Sequence, residues 1–459
     1  MNKLYDYLLR FLLNCPEREN EILPKITYSA TEEEFANYAV VIRASEFFTY
    51  NYGNKNSLPS LPLSTIEHIP FFYGTSHIEK QGNTIIIHAD LIASAFVLLS
   101  RYEEWVQPDL RDEHGRFPAH HSIAYKGGFL HRPIVDEYGA LLRKYLRQVG
   151  IEVPEPAQQF NKIYLTHDVD FLTRYDSFRG FCGAVWRTLK SGTNEIMPAL
   201  QSLKNIHNDP FFTFSWILQK NTELASRTSA TALPVVDILE MTLHTASDIN
   251  NVKTLFFLKS KQYHNRYDRP FYSLVSKTAK QLIALIKNCG ATIGLHTSYS
   301  AGKNPVLIAE EKQELEKACK TKITCNRNHF LRSQNPTDMD FLLQNNILHD
   351  FTLGYADCAG FRLGTCRPVH YIDVETKKVS DLILHPLLIM DSSLSDSRYM
   401  NLNENQAFEY ATKLIDQVKK HHGDIVLLWH NHVFALSEKY NHRKLYTEIL
   451  NYIAEQYEM

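Results

Sequence analysis

From Lys162 onward, short apolar runs alternate with longer stretches of helical period. KIYLT (162–166), TLFFL (254–258), ATIGL (291–295) and DIVLLW (424–429) each have the length of a strand. Between them, SLVSKTAKQLIALIKNC (273–289) repeats Val275, Leu282, Ile286 and Cys289 on one helical face, and QAFEYATKLIDQVKK (406–420) does the same with Phe408, Ala411, Ile415 and Val418. Strand and helix in alternation predict an α/β fold on a parallel sheet or barrel. Residues 171–250 lack a clear strand and read as a mostly helical insertion after the first one.

Residues 1–155 read as a separate, smaller α/β unit. MNKLYDYLLRFLLNC is interrupted by Arg10, preceded by Asp6 and lacks a small-residue cleavage site, so it predicts a first helix and not a signal peptide. HADLIASAFVLLSRYEEW (88–105) places Leu91, Ile92, Ala95, Leu98, Leu99 and Tyr102 on one face, with Asp90 positioned to cap it. A loop-rich connector follows, then a helix from about Glu137 to Gln148. VPEPAQQ (153–159), with two prolines among polar residues, reads as a linker into a second unit at 160–459.

The chain is long enough for two or three domains, and 44% hydrophobic with 22% charged residues is the balance of a globular protein. A net charge of −2 provides no basic field for nucleic acid. No apolar run reaches the roughly 18 residues of a membrane span. Seven cysteines without a CxxC pair fit free thiols in a reducing compartment, so the expected location is cytoplasmic. GxGxxG and Walker patterns are absent. The His-Asn-His at 430–432 lacks the basic setting of a nuclease, and Glu103-Glu104 and Glu310-Glu311 read as solvated helix faces. Cys358 and Cys366 flank a loop and receive no role.

Three strands end in groups that can bind metal or move protons. KIYLT runs into His167, Asp168 and Asp170; ATIGL into His296, Thr297, Ser298 and Tyr299; DIVLLW into His430, Asn431 and His432. Sites in parallel α/β folds form at the carboxyl ends of strands. A carboxylate and neutral imidazoles suit zinc and similar ions, which acidify a bound water and polarise a carbonyl. A second carboxylate can take the water's proton, and a distal histidine can protonate the leaving group. Asp168, Asp170 and His430 could supply this chemistry.

YLTHDVD, IGLHTSY, NRNHFLR (326–332), GFRLGTCRP (360–368) and VLLWHN (426–431), in that order, resemble the polysaccharide deacetylase family of the NodB-homology type. FVLLSRYEEW, GRFPAHHS and LHRPIVDEY resemble an uncharacterised N-terminal domain that precedes the deacetylase domain in one bacterial branch. The resemblance implies a distorted (β/α) barrel and a divalent metal, usually zinc, used to remove N- or O-acetyl groups from sugars. It gives Asp168 the role of base, His430 that of acid and Arg327 that of orienting Asp168.

Two departures stand out against the family pattern. The first motif reads His-Asp-Val-Asp, so the carboxylate ligand falls to Asp170, and the backbone would have to bulge to present it. The second reads His-Thr-Ser-Tyr-Ser, so Ser300 stands where a second histidine ligand is usual. His329 stands where the third motif has proline and is the expected replacement, giving a set of Asp170, His296 and His329. Tyr299, Trp429 and Arg362 are the expected substrate contacts, with a structural salt bridge as the alternative for Arg362.

The reading is a metal-dependent deacetylase-like hydrolase acting on an acetylated sugar or oligosaccharide. The altered motifs leave two alternatives: a catalytically degenerate glycan-binding or scaffold relative, or an amidase or deformylase acting on a small N-acyl substrate.

Overall fold

The computed structural model describes residues 3–50, 52–175, 178–191, 195–228, 251–261, 263, 265–269, 271–435 and 440–458. The N-terminal segment carries β1 (Ile26–Ser29), β2 (Val40–Arg43), β3 (Thr65–Ile66), β4 (Ile69–Pro70), β5 (Gly74–Gln81) and β6 (Thr84–Ala89). β1, β2, β6 and β5 form a four-stranded sheet in that order, with only β5 antiparallel to its neighbour. Helices Lys3–Leu13, Leu91–Leu99 and Ile134–Gln148 belong to the same segment. The Asp90 carboxylate caps the second of these, accepting from Ala93 N at 2.8 Å.

The remaining strands are β7 (Lys162–Val169), β8 (Val252–Leu258), β9 (Thr292–Thr297), β10 (Cys325–Asn328), β11 (His349–Asp350), β12 (Val369–Ile372), β13 (Val379–Leu384), β14 (Ile389–Met390) and β15 (Asp424–Leu428). They form a nine-stranded sheet in the order β12-β13-β11-β10-β9-β8-β7-β15-β14. Every pair is parallel except β12–β13. The expected barrel is therefore a sheet with two edges, β12 and β14, among the described residues. In the expected insertion, helices Phe178–Ser191, Ile196–Lys204 and Phe214–Arg227 are present, and 229–250 lies outside the described residues.

The sheet curls, and side-chain alternation shows how. A flat sheet would hold β7 and β11 roughly 19 Å apart at about 4.8 Å per strand. Yet the ring of Tyr164 on β7 is 5.3 Å from that of Phe351, directly after β11, and 5.0 Å from that of His385. Tyr164, Leu255, Phe257, Cys325, Phe351, Val426 and Leu428 form one apolar cluster inside the curl. Their sequence neighbours Ile163, Leu165, Phe256, Ile425 and Leu427 belong to the larger core outside it. Gly294 on β9 makes the inner packing possible, since a Cβ there would lie 2.5 Å from the Phe257 ring.

That larger core is continuous from Leu4 to Ala454, so the N-terminal segment packs directly on the rest of the chain. At the junction Glu104 is buried, not solvated as expected. It meets Arg101 at 2.6 Å and Arg362 at 2.8 Å. Arg101 sits at a left-handed φ of 61°, which ends one helix and turns the next, Tyr102–Val106, so that Glu104 faces inward. Burial alone would raise the Glu104 carboxyl, but the two guanidiniums hold it down at about 2. Arg362 spends its guanidinium on Glu104 and on the Gly354 carbonyl, so the expected substrate contact is corrected to a buried structural ion pair. The seven cysteines are all free. Among the described residues no helix is long and apolar enough to cross a membrane.

Breaking this triad from the carboxylate side strands two buried guanidiniums. Glu104→Ala should destabilise the protein by about 3–5 kcal/mol. Chemical denaturation of variant and wild type measures it, and an unchanged midpoint would show that the junction does not depend on the triad.

Candidate active site

Period-two alternation selects what points into the curl. On β7, Tyr164, Thr166, Asp168 and Asp170 share one side, while His167 and Val169 face the other. The pairing of β7 with β8 stays regular through Val169 opposite Leu258. The bulge expected for Asp170 is thus absent: an intervening valine puts the two carboxylates on the same side with no distortion. The same parity runs Phe257 to Lys259, Gly294 to His296, Cys325 through Arg327 to His329, and Leu428 to His430.

Arg327 is fully buried, and its Nη1 donates to Thr166 Oγ1 at 2.7 Å and to Asp168 Oδ1 at 3.1 Å. Asp168 Oδ2 lies 3.6 Å from His296 Nε2. Asp170 Oδ1 is 3.6 Å from His296 Nε2, 3.2 Å from His329 Nε2 and 2.8 Å from Lys259 Nζ. Its other oxygen is 3.8 Å from His430 Nε2. The structure therefore brings Asp168, Asp170, His296, Arg327, His329 and His430 to one place under cover.

Charges at this place balance. Burial raises the cost of an Asp170 anion, but Lys259, His329 and His296 outweigh it and hold the carboxyl well below its ordinary range. Burial holds His329 neutral, at about 4. Burial works against a charge on His430 too, yet Asp391, 3.0 Å from its Nδ1, raises it to about 10 with help from Asp170 and Asp168. Asp391 is kept at about 2, because His430 overcomes the opposing effect of burial. Each of the three carboxylates has a basic partner: Asp168 with Arg327, Asp170 with Lys259 and Asp391 with His430.

Lys259 and Asp391 escaped the reading of the sequence. The signal was there: TLFFL ends in Lys259, and the apolar LLIM ends in Asp391, the same grammar that marked the other three strands.

The donors Asp170, His296 and His329 fit a metal ion. One ligand atom from each lies within 4.8 Å of the others. His296 Nδ1 donates to the Arg327 carbonyl at 2.9 Å, which fixes the ring with Nε2 turned toward Asp168 and Asp170. That buried Nε2 has no hydrogen-bond partner among the described residues.

Two expected substrate contacts fall elsewhere. Trp429 has the outward parity of Ile425 and Leu427, is fully buried, and packs 5.2 Å from Tyr446. Tyr299 is 2% exposed, with Tyr267 and the Arg332 guanidinium against its ring. Both are corrected to packing residues.

The loop that carries His329 is braced by the N-terminal segment. Phe330 and Leu331 sit at left-handed φ values of 63° and 52°, uncommon for large side chains. Arg116 Nη1 donates to the Phe330 carbonyl at 3.2 Å, and Arg101 Nη1 to Ser333 Oγ at 2.9 Å. In return Arg332 Nε donates to the His114 carbonyl at 2.8 Å. Outside contacts of this kind can hold a backbone conformation that costs about 1–3 kcal/mol per residue.

Comparison with known proteins adds little to this geometry. A family model described as a family of unknown function (DUF7033) matches residues 2–150. No curated protein matches the chain. Among solved structures, the crystal structure of a candidate polysaccharide deacetylase from Mycobacterium smegmatis is similar with a TM-score of 0.39 at 13% identity. The match covers 66% of this chain and 86% of that one. A likeness so distant carries no argument about activity.

The loop after β9 is fastened by Glu311, expected on a solvated face but buried, since adjacent helix positions point about 100° apart. Ser298 N donates to it at 2.9 Å and Ser298 Oγ at 2.5 Å. Burial raises this carboxyl from 4.5 to about 7, ahead of the opposing Ser298 bonds. A raised folded-state value contributes stability that is complete below the unfolded value and is lost as pH rises through the folded one. Between pH 5 and 8 the wild type should therefore lose on the order of 2 kcal/mol relative to Glu311→Gln. Parallel denaturation curves for the two proteins would show no pH-dependent gap if Glu311 titrated normally.

Proposed function

We propose that the chain is a hydrolase of acyl-amide or acyl-ester bonds, with an N- or O-acetylated sugar as substrate. One observation carries the reading: a carboxylate paired with Arg327 and an imidazole held by Asp391 border the same Asp/His/His donor set. Asp168 has an oxygen turned to the donor set, where it can accept a proton from an attacking water. Arg327 keeps that oxygen in place by binding the other. His430 holds its proton through the neutral range, and its Nε2 faces the same space, so it can transfer that proton to the leaving nitrogen or oxygen. Bond formation at the acyl carbon then breaks the bond to the sugar, releasing acetate and a free amine or hydroxyl. Asp170, His296 and His329 would hold a divalent ion, zinc being the natural choice for this donor set, and it would supply Lewis acidity toward the acyl oxygen. In this reading residues 1–155 support the unit at 160–459 by bracing the His329 loop.

A second reading has Lys259 in its favour. An ammonium 2.8 Å from Asp170 already supplies a cation where the ion would bind, as a degenerate, glycan-binding relative would have. An amidase or deformylase acting on a small N-acyl compound would use the same groups on a different substrate.

Acetate release from short N-acetylated oligosaccharides and from small N-acyl sugars tests the proposal. Asp168→Asn should lower the rate by about 10²–10⁴-fold with the fold intact. Sugar binding without release by the wild type would favour the second reading. Separately, Lys259→Met should tighten zinc binding by about tenfold, because an ion entering beside Asp170 no longer meets a fixed positive charge. Calorimetric titration gives that comparison, and weaker zinc binding by Lys259→Met would show that Lys259 supports the ion and does not oppose it.

A further inference from the structure

β5 is an edge strand of the N-terminal sheet. Its register with β6 sets Ile78 opposite Ile87 and Glu79 opposite Ile86. Regular pairing from Ile78 to Gln81 puts Glu79 on the face of Ile86 and His88, and although the register shifts between Gly74 and Ile78, the ring of His77 lies beside that of His88. Ile86 packs with Phe35 and Val41. His77 is exposed, while Glu79 and His88 are half-buried. The two imidazole rings lie 5.0 Å apart, and His88 Nε2 is 3.4 Å from Glu79 Oε2. Gln81 Nε2 donates to Glu79 Oε1 at 2.8 Å and so leaves Oε2 for His88.

We propose that His77, Glu79 and His88 form a second site, for a divalent cation of the zinc class, separate from the strand-end centre. One ligand atom from each residue lies within 4.8 Å of the others. In a tetrahedral site with bonds of about 2.0–2.1 Å the donors stand roughly 3.3 Å apart. Closing the difference takes rotation of side chains that are partly free to rotate, with Glu79 held in the ladder opposite Ile86 and His77 beside the register shift that precedes Ile78. Two imidazoles and one carboxylate select a borderline ion such as zinc over calcium or magnesium, which favour oxygen. Gln81 supports the carboxylate as an outer partner does at a metal site. The remaining coordination position faces solvent, open to water or to a side chain of another molecule.

Zinc titration of the full chain against a chromophoric chelator tests this, with wild type, a His77→Ala/His88→Ala double variant and Glu79→Gln. The wild type should bind one more zinc ion per chain than the double variant, and Glu79→Gln should hold that ion about tenfold more weakly. The double variant should keep the wild-type circular dichroism spectrum, which checks that its fold is intact. Equal stoichiometry and affinity in wild type and double variant would overturn the proposal. The outcome is independent of the strand-end centre, whose ligands are the same in all three proteins.

Discussion

Two carboxylates at the end of one covered strand cannot remain ionised without positive charge close by. This requirement explains more of the structure than any single motif. Asp168 is met by Arg327 and Asp170 by Lys259, while the third carboxylate, Asp391, meets His430. Each partner comes from a different strand end, so the curl of the sheet and the balance of charge depend on one another. Flatten the sheet and the pairs separate.

Much of this was legible in residues alone. The strands ended in ionisable groups, and parallel α/β folds build sites there. The motifs mark Asp170, His296 and His329 as a set, and their donor atoms lie within 4.8 Å of one another. What misled was treating side-by-side aspartates as the geometric requirement. In a strand, residues two apart share a face, so His-Asp-Val-Asp presents both carboxylates without a bulge, and His167 turns outward to Trp429 and Asn221. Parity also explains why Trp429, next to His430, never reaches the site.

Other residues were not legible, because their environment comes from distant parts of the chain. Glu104 and Arg362 are 258 positions apart, and no local pattern marks either as a buried partner. Glu311 looks like a surface helix residue until the loop after β9 folds onto it. The role of the N-terminal segment was hidden in the same way: Arg101 and Arg116 reach over to hold the loop of His329. Lys259 differs, since it ends a strand like the others. A lysine is not a metal ligand, yet this one sets a competing cation 2.8 Å from Asp170.

The proposed ion-binding role needs Asp170, His296 and His329 to act together as one donor set. Anomalous diffraction from crystals soaked in zinc, collected on both sides of the zinc absorption edge, addresses it directly. An ion held by the set gives a peak within about 2.0–2.2 Å of one donor atom from each of the three residues, with the Lys259 ammonium drawn back from Asp170. A map with no peak there and Lys259 still seated on Asp170 would contradict it.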